Sequence, residues 1–142
     1  MTSAEIIDRL ALAPHPEGGW FRETFRHHPA DGSRGAATHI YYLLQTGERS
    51  AWHRLDAIEI WHFYAGASLL LTLAGDTGPA QTLTLGADLA AGESFHAVVP
   101  AGIWQTAAST GAWSLVGCTV APAFAFSGFE LAADGWPGPF AR

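Results

Sequence analysis

The chain alternates between short apolar runs and turn residues from one end to the other. The opening differs. Thr2 and Glu5 stand three apart, as in a capping box, and Ile6, Ile7 and Leu10 fall on one helical face, so a short helix is expected until Pro14 and Pro16 end it. Beyond it the apolar positions follow a period of two. Strands are expected at Trp20–Arg26, Thr38–Gln45, Ile58–Tyr64, Leu69–Ala74, Gln81–Leu85, Phe95–Val99, Trp104–Ala107 and Trp113–Val120. Between several of them lie Asp31-Gly32, Thr46-Gly47, the run from Gly75 to Pro79, Ala91-Gly92 and Thr110-Gly111, all residues that favour tight turns. Many short, evenly spaced strands predict an all-β sandwich or barrel. Along Ile58–Tyr64, Glu59, Trp61 and Phe63 share one face, and Ile58, Ile60, His62 and Tyr64 share the other. Both faces are largely apolar, so the second is expected to lie under another layer or a partner subunit. The tail from Gly135 to Phe140 suits no regular element and is expected to be anchored by Trp136 and Phe140.

Composition narrows the classes. The 142 residues are 49% hydrophobic and 14% charged, which suits one folded domain over 1–142 with a substantial core. Net charge is −6, Lys is absent and the seven Arg are scattered, so neither nucleic acid nor an anionic membrane is an expected partner. The lone Cys118 excludes a disulfide framework. An acidic N-terminus and the lack of a long apolar segment make a cytoplasmic protein the expectation.

Two spaced motifs carry the chemistry. In the first, His53 is followed by Glu59 and, seven residues later, Gly66. In the second, Pro100 and Gly102 precede Gln105. Together they resemble the two conserved boxes of the cupin superfamily, His-x-His…Glu…Gly and Pro-x-Gly-x-x-His. Here Leu55 stands in place of the second histidine and Gln105 in place of the last. The runs His15–Thr24, Ser50–Arg54, Glu59–Gly66, Val98–Gln105 and Val116–Pro122 resemble more closely one short cupin family of unknown function, Cupin_5. That resemblance implies a double-stranded β-helix of the RmlC-like jelly-roll type, commonly a homodimer, and no settled activity.

His53 then reads as a general base, a metal ligand or a satisfied core histidine. A histidine at this place serves as the base in metal-free sugar-epimerase cupins, which is an analogy of fold. Glu59, set among apolar residues, must be paired, protonated or ligating. Gln105 reads either as an interior amide or as a ligand contact. With Leu55 and Gln105 replacing histidines, no cofactor is expected, and any divalent metal held by His53, Glu59 and Gln105 should bind weakly. Trp52, Trp104, Phe63 and Tyr42 are candidate pocket walls, and Arg22 a candidate anion contact. The leading expectation is a barrel that binds a small polar metabolite, sugar-like or carboxylated. It would perform isomerase, epimerase or lyase chemistry, with His53 and Glu59 as the catalytic pair. The alternatives are a non-catalytic binding or sensing protein and a metal-dependent dioxygenase. A homodimer built on Trp20–Arg26 is expected from the aromatic character of that strand.

Overall fold

A computed structural model describes residues 1–133, so the expected anchoring by Trp136 and Phe140 lies outside the described residues. Helix α1 spans Ser3–Arg9. Its capping box is formed as the spacing predicts: Thr2 Oγ1 accepts from the Glu5 N–H, and Glu5 Oε2 accepts from the Thr2 N–H. Ile6 is buried and packs with Leu12 and Leu43 in a cluster of its own, apart from the main core.

Eleven strands follow among the described residues: β1 Ala13–Pro14, β2 Trp20–Arg26, β3 Thr38–Gln45, β4 Arg49–Leu55, β5 Ile58–Gly66, β6 Leu69–Ala74, β7 Gln81–Leu85, β8 His96–Val99, β9 Trp104–Ser109, β10 Trp113–Ala121 and β11 Phe129–Leu131. One sheet runs β1-β2-β3-β10-β5-β8 and the other β11-β4-β9-β6-β7. Every strand pairing is antiparallel, and one isolated parallel bridge joins Leu85 to Ser94. The two sheets face each other across a core built on Tyr42, Leu44, Trp61, Leu71, Leu85 and Val116. This is the expected jelly roll.

Strands β2, β3, β6 and β7 keep their expected bounds, because clean alternation and flanking turns define them. Strand β4 is not evident from alternation. Its pairing with β9 breaks register between Ser50 and His53, and a bulge scrambles the period of two. Strand β11 is only three residues long, too short to show a period.

The outer face of β5 is partly open within the single chain. No second layer covers it among the described residues, and Ile58 and Tyr64 are 41% and 45% exposed. A polar and aromatic cluster occupies the face instead. Thr24 Oγ1 meets His39 Nδ1, His39 Nε2 meets the Tyr64 hydroxyl, and His62 Nε2 meets Thr119 Oγ1 at 3.1 Å. On β2, Trp20 and Phe21 pair with β1, and among the described residues its edge is open from Arg22 onward.

Candidate functional site

A cavity of about 300 Å³ opens at one end of the barrel. Its inner end holds His15, Glu17, His53, Glu59 and Cys118. Its walls are Phe21, Ile40, Leu55, Val120 and the three phenyl rings of Phe124, Phe126 and Phe129. Those three rings pack edge to face on one another, with centroids 5.0–6.3 Å apart.

His53 reaches the cavity from β4, and Glu59 from β5 in the facing sheet. Both are buried. The His53 Nδ1 lies 2.7 Å from the carbonyl oxygen of Ala51. A carbonyl can only accept, so Nδ1 carries the proton and Nε2 is the basic nitrogen of the neutral ring. That Nε2 faces Glu17 Oε2 at 3.2 Å. Glu17 is fixed in turn. Ser50 Oγ donates to its other oxygen at 3.1 Å, and its main-chain oxygen accepts from the Ala51 N–H at 2.7 Å.

Glu17 is brought in by the strap between β1 and β2, and local geometry explains the strap. Gly18 has a φ of +105°, and a Cβ there would lie 2.4 Å from the Arg49 carbonyl oxygen. Only glycine allows the chain to cross so close to β4. The buried Tyr42 hydroxyl donates to the Gly18 carbonyl and pins the crossing. Tyr42 thus holds the site together without lining the cavity.

Gln105 is held between two partners. Its Oε1 accepts from the Trp61 indole N–H at 2.8 Å, and its Nε2 donates to Glu59 Oε1 at 2.8 Å. The indole nitrogen can only donate, so the amide cannot be turned round. Gln105 therefore anchors Glu59, and its oxygen is not offered to the cavity.

Burial sets the protonation of this group. It raises Glu17 to about 8. It raises Glu59 to about 7, with the nearby His53 opposing and the Glu17 carboxyl adding to the rise. Burial lowers His53, opposed by Glu59 and by the bond to Ala51. His15 falls to about 4 through burial and the neighbouring His53, and its Nδ1 accepts from the Glu17 N–H at 3.0 Å. Near neutral pH one proton is therefore shared between Glu17 and His53, residing mainly on the carboxyl. Burial also pushes the Cys118 thiol well up, so it stays protonated.

Other expected site residues fall elsewhere. Arg22 is exposed and donates to the Leu10 carbonyl at 3.0 Å. Alternation along β2 turns Phe21 and Glu23 into the cavity and Arg22 away from it, and a register shift after Glu23 then brings Arg26 inward. Trp104 is buried beneath the Arg54 guanidinium, 4.5 Å from its ring centroid, on the outer side of the second sheet. Neither Trp104 nor Trp52 lines the cavity, because each neighbours an inward residue, Gln105 or His53. Phe63 packs against the main core.

Residues that alternation could not find are His15, Glu17, Arg26 and the three phenylalanines. The one sequence signal for them was the run His15-Pro16-Glu17-Gly18-Gly19, whose paired glycines mark a close crossing.

Two facing antiparallel sheets with a buried histidine and carboxylate at one barrel end define a cupin-type jelly roll. Comparison with solved structures agrees. The chain is 43% identical to protein SO0799 from Shewanella oneidensis, with a TM-score of 0.89 over 94% of this chain and 85% of that one. It is 30% identical to a hypothetical protein from Leishmania major, with a TM-score of 0.85 over 94% and 88%. The Bacillus subtilis oxalate decarboxylase shares the fold alone, at 14% identity and a TM-score of 0.66 over 83% of this chain and 29% of that one. No curated protein matches the sequence. Residues 4–132 match the cupin superfamily family Cupin_5 (DUF985), and the chain belongs to that family.

The donor atoms of the site already engage one another. Leu55 and Gln105 occupy two histidine places, the Gln105 oxygen is taken by Trp61, and the free nitrogen of His53 faces Glu17. No group of three or more His, Cys, Asp or Glu among the described residues is arranged to hold a metal ion.

Proposed function

We propose that the barrel binds a compact small molecule and moves protons to and from its polar end without a metal, in an isomerase- or lyase-type reaction. The observation that carries this reading is the His53–Glu17 contact of 3.2 Å at the closed end of an apolar cavity. Because Glu17 already meets Nε2, the two side chains act as one acid–base unit. The unit accepts a proton from a C–H beside an unsaturated group of the ligand, and the Ala51 carbonyl holds the imidazole in the required tautomer. The same unit returns that proton at the neighbouring position, while Glu59, kept in place by Gln105, faces the polar end of the ligand. The apolar walls favour a molecule with a hydrophobic body over a sugar.

In deuterated water, the molecule that co-purifies with the protein should exchange a C–H for deuterium, followed by NMR. His53→Ala should slow that exchange by about 10²–10⁴-fold while the fold is kept. Saturable binding with no exchange at any pH would instead make this a binding or sensing protein.

For assembly, we propose a homodimer that uses the open edge of β2, where Phe25 is 55% exposed. Light scattering should give twice the 15.1 kDa chain mass. A monomer mass at micromolar concentration would rule this out.

A further inference from the structure

The charge lining the cavity is unbalanced. Three carboxyls face it, from Glu17, Glu23 and Glu59, against one guanidinium, from Arg26. That guanidinium is fully engaged at the mouth. Its Nε and Nη2 donate to the two oxygens of Glu23 at 2.8 and 2.9 Å, and its Nη1 donates to the Phe124 carbonyl at 3.0 Å. An entering anion would have to displace Glu23 and then lie beside Glu17 and Glu59. The remaining polar groups near the inner end carry no fixed positive charge. Tyr42 and Ser50 are hydroxyls, Cys118 is a protonated thiol, and the histidines are held toward their neutral forms by burial. The inner carboxyls thus lack a permanent counter-charge, and the walls above them are phenyl rings, whose faces attract cations.

Resting on the reading of this cavity as a small-molecule site, we infer that its ligand is a small organic cation, a protonated amine on a compact apolar or aromatic body. The ammonium group sits between Glu17 and Glu59 and takes the place of the protons those carboxyls otherwise hold. Its hydrophobic part lies against Phe21, Phe124 and Phe129, with Phe126, 69% exposed, at the mouth. Binding is therefore coupled to proton release, since the ammonium favours both carboxyls in their ionised forms.

The test uses the full chain and three probes of one shape: benzylamine, benzyl alcohol and benzoate, each titrated by calorimetry. At pH 8 benzylamine should bind at least about tenfold more tightly than benzyl alcohol, with benzoate weakest. Between pH 8 and pH 6 benzylamine should weaken about tenfold or more and release protons to the buffer, because Glu59 titrates near 7, whereas benzyl alcohol should change little. Glu59→Gln, which can still accept the Gln105 bond, should erase the preference for benzylamine and keep benzyl alcohol. If benzyl alcohol or benzoate binds as well as benzylamine at pH 8, the cation inference falls and the cavity reading stands. If the folded protein takes none of the three at millimolar concentration, the cavity reading itself falls. The wild-type ranking decides the matter even if the variant does not fold.

Discussion

Replacing Gln105 with leucine is expected to lower the unfolding free energy by about 2–6 kcal/mol. The side chain is 1% exposed and satisfies two buried groups at once, the Trp61 indole N–H and the Glu59 carboxyl. Leucine nearly preserves the volume but orphans the indole N–H and takes from Glu59 its bond to Gln105, each at about 1–3 kcal/mol. The urea midpoint should fall, and Glu59 should become harder to ionise, since it loses a donor that favours its charged form and keeps only the Cys118 thiol. Adding Trp61→Phe to the leucine variant should recover part of the loss, because the orphaned indole N–H is then gone. A loss below about 1 kcal/mol would mean that water replaces both bonds, and Gln105 would not be the anchor described above.

Stability should also fall by about 2 kcal/mol between pH 6.5 and pH 8. Glu17 and Glu59 have folded values of about 8 and about 7, against 4.5 for an ordinary glutamate. The folded chain therefore keeps protons that the unfolded chain has released, and it loses stability as pH rises through those folded values. His15 and His53 act with the opposite sign. Burial lowers both, so their contribution is present above about 6.5 and is lost as pH falls, through about 4 for His15. Between about 4.5 and 6.5 the two pairs largely offset each other, and above 6.5 only the carboxyls act. Lowered values for His39 and His62 add to the loss on the acid side. Denaturant titrations at pH 6.5 and 8 check the sign, and stability that is flat or rising over that interval would show that the carboxyls are not buried as described. Glu17→Gln together with Glu59→Gln should flatten the profile above pH 6.5.

The two predictions concern the same few residues, and these were unequally visible in the sequence. His53 and Glu59 are located by the cupin spacing, which is local; alternation tells the facing of Glu59, while the bulge in β4 hides that of His53. Gln105 was located by the same means, but its role was not, since an amide serves equally as ligand contact or scaffold. Its role depends on the Trp61 indole, which lies 44 residues away and only donates. Arg22 is a candidate for its guanidinium alone, and alternation turns it away from the cavity. The irregularity after Glu23 brings Arg26 to the cavity instead.

By itself, then, the sequence determined the capped helix, the bounds of the regular strands, the jelly-roll class and two of the inner cavity residues. These follow from interactions between near neighbours and from a period set by the backbone. The tertiary structure alone decided which other side chains meet them. Glu17 reaches His53 because a glycine strap crosses β4. Phe124, Phe126 and Phe129 form one wall because the segment after β10 folds back over the barrel end. The charges of the site are set by burial, which many distant residues create together and no local pattern encodes.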